Sequence, residues 1–443
     1  MAAASFRRST CIDNWHATSM AASSDNPANQ THMSGYDFLK GIRVLEVAQL
    51  GPSSLGGLLA DMGAEVIKVE GVDGDPIRAT SEPAVGSPEG PSFLHLRWNR
   101  GKKSLGLDLK HQEGADLFKR LAARSDVVIE GMRGGVLERL GLGYENLKVL
   151  NPKLVFCSLS GLGRSGPYYT LGSQGPSFDG FGGLGAVNPA NLTEEERQRT
   201  PWAPIGMYAM GLFGALGALA AIVKALRTGE GSLVEVSGAE SAAHWLPEGV
   251  NKALNPGLLH ERPGFRNSAG RMANWSRLHA YETRDGRKVV FMGFYDKFWK
   301  RFCAFVDRPD LAQRYESDED VGQIDQAVHE ELVKIFRTRN FDDWMAAFLE
   351  NDIAGAPVNT LEMLASDPHF LARDNVYEVD QPGVGKLRLA STPVKTAGQH
   401  FEAGPAPLQW AHTAEVLHEV LGMDRAELKR LSKAGVVFEM SES

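Results

Sequence analysis

A chain of 443 residues has room for a large buried core, and a formal net charge of -8 with a pI near 5.9 lacks the clustered basic face that nucleic acid requires. Its apolar share of 43% and charged share of 23% are those of a soluble protein. Cys11, Cys157 and Cys303 stand far apart, which excludes a disulfide framework and a zinc-binding spacing and makes a reducing compartment the default.

Residues 1–38 are rich in Ala, Ser, Asn and Thr and carry no apolar periodicity, so they read as a disordered leader. Arg7 and Arg8 hint at a transit peptide, but Asp13 and Asp25 spoil its amphipathic helix. A cytoplasmic location is therefore expected, with a mitochondrial one as the alternative. The last residues, Ser441-Glu442-Ser443, are not a peroxisomal address.

The folded part opens with a β-type run at 42–47, a helix pattern through Leu55, Leu58, Leu59 and Met62, and a second strand at 65–70. Strand, helix and strand so close together make a βαβ unit and hence a parallel sheet. After a Gly/Pro/Asp-rich loop, a turn carrying Arg100, Lys102, Lys103 and Lys110 feeds an alternating strand. Such a turn can hold phosphates or simply be solvated. A helix at 114–123, a strand at 127–130 and a helix near 136–140 continue a doubly wound α/β layout.

The run 154–159 opens into a glycine loop, Gly161-Leu162-Gly163-Arg164-Ser165-Gly166-Pro167. Its glycines match the dinucleotide spacing, but Pro167-Tyr168-Tyr169 follows where a helix would have to start. The apolar helix expected at 209–226 has its longest apolar run at 209–223, short of the roughly 20 residues that span a bilayer, so it reads as a buried helix and no membrane partner is expected. A strand at 233–236 and a helix at 239–246 follow, on which His244 reads as a satisfied core histidine. A hairpin at 280–291 turns at Asp285-Gly286, and helices at 298–305, 321–337 and 341–349 complete a smaller α+β region. A helix at 360–365, a β-rich run through Val394 and a terminal helix at 413–421 close the chain.

Several blocks, in order, resemble the family III CoA-transferases, the family that also holds the α-methylacyl-CoA racemases. They include Leu58-Leu59-Ala60-Asp61-Met62-Gly63-Ala64-Glu65-Val66-Ile67-Lys68-Val69-Glu70, Gly74-Asp75-Pro76, Asn99-Arg100-Gly101-Lys102-Lys103-Ser104, the glycine loop, Arg227-Thr228-Gly229-Glu230-Gly231 and Gly355-Ala356-Pro357-Val358. The resemblance implies an α/β fold: a large Rossmann-like domain drawn from both chain ends (39–250 and 361–443), a small α+β domain inserted at 251–360, and an interlocked homodimer. It also implies a CoA thioester as substrate, with no permanently bound cofactor and no metal. Leu107, Lys110, Met132 and Arg139 carry over as CoA contacts, with Asn99 and Arg100 close by. Where family members often place an Arg after the second strand, this chain has Gly71-Val72.

The catalytic groups do not carry over. The family Asp at the start of the long apolar helix, the carboxylate that forms an acyl anhydride, falls on Met207. The racemase His falls on Ser173 and its acidic neighbour on Gln174. Gln174, Asp179 and Asp296 are the remaining catalytic candidates; Asp179 reads more readily as a surface helix cap. Tyr208, with a tyrosine's unperturbed pKa near 10, is a poor nucleophile without help. The expected function is transfer of CoA between carboxylic acids, with an epimerase or a repurposed, non-catalytic protein as alternatives.

Overall fold

The computed structural model describes residues 35–80, 84–132, 135–184, 204–260, 276–313 and 326–440. The leader up to residue 34, with Cys11, lies outside them. Strands β1 (Arg43–Ala48), β2 (Glu65–Glu70), β3 (Lys103–Leu107), β4 (Val127–Gly131), β5 (Val155–Ser160) and β6 (Ser232–Ser237) run parallel in the order β3-β2-β1-β4-β5-β6. Strands β7 (Leu278–Glu282), β8 (Lys288–Met292) and β9 (Gly355–Val358) make a separate antiparallel sheet, and β10 (Val376–Gln381) pairs with β11 (Gly385–Ala390). The last strand, β12 (Val437–Phe438), returns to the large sheet and lies antiparallel to β3.

The connecting helices of the large sheet are α1 (Ser53–Asp61), α2 (Phe93–Trp98), α3 (Gln112–Ala122), α4 (Val136–Arg139), α5 (Tyr144–Leu150), α6 (Gly175–Phe181), α7 (Ile205–Thr228) and α8 (Gly238–His244). Then come α9 (Pro247–Leu254), α10 (Asp296–Phe305), α11 (Pro309–Gln313), α12 (Gln326–Phe336), α13 (Phe341–Glu350), α14 (Leu361–Ser366), α15 (Pro368–Ala372), α16 (Thr413–Leu421) and α17 (Arg425–Lys433). Helices cover both faces of the sheet, so alternate residues of each central strand enter different cores. Leu45, Ile67, Val128 and Phe156 pack with α3, α16 and α17 on one side. On the other, Val44, Val66, Ile129 and Cys157 pack with α1 and α7. The small sheet has its own aromatic core around Trp299, Phe302, Phe336 and Trp344.

Helix α7 is longer than the apolar run suggests, starting four residues earlier and ending two later than expected. By length and composition it could cross a bilayer, yet 44% of its most apolar window is buried against protein. Small residues make that packing possible. Gly211 lies against Ser54 and Gly214 against Leu55, both of α1, while Gly217 lies against Val234 of β6. The opposite side is open, with Leu212, Leu216, Val223 and Leu226 exposed.

Three cations of the basic turn, Arg100, Lys102 and Lys103, are taken up by carboxylates rather than left for phosphate. Arg100 is fully buried and forks onto both carboxylate oxygens of Asp61 at 2.7 and 2.8 Å, with Ala390 O at 2.6 Å. Lys102 Nζ lies 3.0 and 2.7 Å from the two oxygens of Glu46 and donates to Ser53 O. Lys103 pairs with Glu65, Glu415 and Glu419. Cations so placed are buried only because each meets a carboxylate.

Candidate active site

In an open parallel sheet the crevice for ligands lies beyond the carboxyl ends of the strands, where the strand order reverses. Here that point is between β1 and β4. Beyond β1 the chain turns through Leu50, a non-glycine residue at φ 53, and Gly51 before entering α1. A buried network fixes this turn. Lys68 Nζ donates to Ala48 O at 2.5 Å and Ser53 Oγ at 3.0 Å, pairs with Glu46 and lies 2.7 Å from Asp75 Oδ2. Asp75 Oδ1 in turn accepts from Leu50 N at 3.4 Å. Lys68 is held charged by Glu46 and Asp75 against the cost of burial, whereas Lys102, also next to Lys68, is pushed down to about 8 chiefly by burial.

The first turn of α7 rests on this platform. A Cβ on Gly51 would meet Met207 Cγ at 2.5 Å, so the missing side chain is what admits the thioether. Next to it, the Tyr208 ring meets Trp98 edge-on at 5.7 Å, and burial pushes its phenol up, which removes it as a nucleophile at neutral pH.

Asp179 reaches the same turn from α6. Its Oδ1 accepts from Gly206 N at 2.7 Å, capping α7 one residue before Met207. The expected cap is therefore real, but it is 95% buried rather than at the surface. Gln174 sits at the N-cap of α6, exposed, with its own N–H donating to Ser177 Oγ at 2.8 Å. Ser173 lies over Gly161, where any Cβ would collide with its hydroxyl. Asp179 and Met207 thus meet at the start of α7, while Gln174 stands at the exposed start of α6, next to Ser173 over the glycine loop.

Asp296 is elsewhere. It opens α10 beside the small sheet, with its side chain 67% exposed and 3.1 Å from Arg277. His244 is exposed rather than a core residue, because it lies at the outer end of α8, where its ring meets Phe213 edge-on at 5.0 Å.

The residues carried over as CoA contacts separate into two sets. Lys110, Met132 and Arg139 offer surface: Lys110 and Arg139 are exposed, and Met132 is half-buried at the end of β4. The side chains of Asn99, Arg100 and Leu107 do not, because all three are buried. Leu107 belongs to the core, and the amide of Asn99 lies 3.1 Å from His95 Nδ1. Arg100 is committed to Asp61, so the role implied for it passes to the ion pair.

Sequence reasoning missed Arg164. Its guanidinium meets Glu130 Oε2 and Ser158 Oγ, each at 2.8 Å, and also Glu138. The signal was Glu130 itself, a carboxylate within an apolar strand that cannot be buried without a partner. Burial, with Glu138 adding to it, holds the Glu130 carboxyl above its usual range. Cys157 and Cys303 are unpaired and buried, and burial pushes both thiols up to about 12, so neither is a nucleophile.

A parallel α/β sheet with its polar and glycine-rich turns gathered at the strand ends defines an enzyme of the open-sheet class. The model of CoA-transferase family III matches residues 39–413, and the chain belongs to that family; it is a CoA-transferase. The succinyl-CoA:mesaconate CoA-transferase of Haloarcula hispanica is 33% identical over 88% of this chain and 98% of its own. The succinyl-CoA:glutarate CoA-transferase of Homo sapiens is 27% identical, covering 92% of each chain. Among solved structures, a CaiB/BaiF family protein from Brucella suis superposes with a TM-score of 0.67 at 26% identity, over 86% of this chain and 99% of its own.

Proposed function

We propose that the protein moves CoA from an acyl-CoA donor to a free carboxylic acid, with short dicarboxylates as the substrate class, and that Asp179 supplies the carboxylate which Met207 cannot. One observation carries the reading: Asp179 Oδ1 is fixed on Gly206 N, one residue from position 207, and only that oxygen is engaged among the described residues. The carboxylate of Asp179 is a nucleophile of the kind that acyl transfer uses. Its free oxygen attacks the thioester carbonyl, expels CoA thiolate and forms an acyl-aspartyl anhydride. The thiolate then attacks the aspartyl carbonyl, releasing the donor acid and leaving an aspartyl-CoA thioester. The acceptor carboxylate attacks that thioester, and the freed thiolate takes the acyl group of the new anhydride, restoring Asp179. The names of the relatives support the substrate class, and exposed Lys110 and Arg139 are suited to CoA phosphates.

Two further parts of the reading concern assembly and setting. A large Rossmann-like domain built from both chain ends is supported by β12 on β3, with 251–360 as the insertion. The apolar residues left open on α7 and α9, Leu216, Leu226 and Leu254 among them, support a second copy as their cover. The unpaired thiols suit a cytoplasmic setting.

The test is intact-protein mass spectrometry with hydroxylamine trapping after incubation with succinyl-CoA. An adduct mapped to Asp179, absent in Asp179→Asn, is expected; Asn keeps an oxygen for the cap, so the fold is preserved. An adduct on another carboxylate, or turnover intact in Asp179→Asn, would remove Asp179 from the mechanism.

A further inference from the structure

Arg164 joins more elements than any loop residue needs for its own stability. From the glycine loop its Nη1 reaches Glu130 at the end of β4 and Ser158 on β5, its Nη2 reaches Glu138 on α4, and its backbone N–H donates to Glu235 of β6. Glu138 packs over Gly143, where a Cβ would lie only 2.8 Å from its Cγ. Glu130 also accepts from the first turn of α4, at Leu137 N, at 3.4 Å. These bonds fix the distance between the glycine loop and the segment that presents Met132 and Arg139. A planar guanidinium suits the task because it holds two carboxylates in fixed directions at once.

We propose that Arg164 is a positioning residue that sets the CoA-ester site by clamping α4, and with it Arg139, to the glycine loop through Glu138. The inference rests on the reading of Arg139 and Met132 as CoA contacts. The two arms of the clamp differ in exposure. Glu130 is fully buried on β4, so its arm is structural; the Glu138 side chain is 37% exposed, so its arm can be cut without leaving a buried charge unpaired.

The experiment compares Glu138→Gln, Glu138→Asp and Arg139→Gln by steady-state kinetics and by calorimetric titration with CoA. Glu138→Gln is expected to raise KM for succinyl-CoA and the Kd for CoA about five- to tenfold, at unchanged kcat and unchanged melting temperature. Glu138→Asp should recover part of the affinity, which a merely structural contact would not do. Arg139→Gln should weaken CoA binding on its own account. If Arg139→Gln weakens binding while Glu138→Gln does not, the clamp is wrong and the CoA site stands. If neither changes binding, the CoA site itself lies elsewhere and the clamp falls with it.

Discussion

The Asp61 and Arg100 side chains are both fully buried, and each satisfies the other's charge with two short bonds. Arg100 also stacks near the rings of Phe401 and Tyr377, at 4.7 and 5.1 Å from their centroids. Removing Arg100 takes the two-point bond from a fully buried carboxylate and leaves it only the longer contact with Arg97, at 3.3 Å, among the described residues. Arg100→Leu should therefore lose about 3–5 kcal/mol in urea unfolding, while CoA affinity of the protein that still folds stays within about twofold. A large loss of affinity at intact stability would return Arg100 to the ligand site.

At the scale of elements, the seat of the turn that carries Met207 is the contact between α7 and α1, and it depends on glycines. Any Cβ on Gly211 would collide with Ser54 Oγ, whose bond to Gly51 O, at 2.6 Å, belongs to the turn beneath Met207. Gly211→Val should cost about 1–3 kcal/mol by overpacking and lower kcat as well, because the strain is passed to the platform of Met207. A stability loss with full activity would show that helix position and chemistry are uncoupled. The central strands β1, β4 and β5 were legible in the sequence because they are buried on both faces and are mainly apolar, and α7 was legible as the apolar helix before Arg227-Thr228-Gly229. Short elements such as α2, α6 and β12 were not, since they are held by distant partners: β12 forms only because β3 offers an edge, and α6 because Phe178 fits against Gly161, Gly206 and Gly238. Several charges of the family motifs, Asp61, Lys68, Asp75, Arg100 and Lys102, proved to be buried ion pairs, which spacing alone cannot tell from a phosphate site.

The whole molecule is closed by bonds between the two ends of the chain, and these converge on a buried histidine. Arg78 donates to Pro407 O at 2.8 Å, pairs with Glu70 at 2.6 Å and lies 3.2 Å from His95 Nε2. Trp410 N donates to Ser104 Oγ, which itself bonds Glu70. A guanidinium can only donate, so Nε2 must be the unprotonated ring nitrogen and the imidazole is neutral. Burial, with the Arg78 charge adding to it, holds its pKa down to about 3, from 6.5 in the unfolded chain. Between those values the unfolded state binds a proton that the folded state refuses, so stability falls as pH falls from 6.5 towards 3, by up to about 1.4 kcal/mol per pH unit from this one group. Carboxylates with lowered pKa, Glu70 and Asp75 among them, add a loss of the same sign, but it sets in below their usual value near 4.5 or lower. In the interval from pH 6.5 to 5 His412, whose pKa burial also lowers, adds a loss of the same sign, and the raised Glu130 carboxyl opposes it, so the share of His95 is the difference between wild type and variant. In urea titrations across that interval, His95→Gln is expected to flatten the fall in unfolding free energy seen in the wild type. An equal slope in both proteins would mean that the junction of the chain ends tolerates the imidazolium, and that acid opens the molecule by another route.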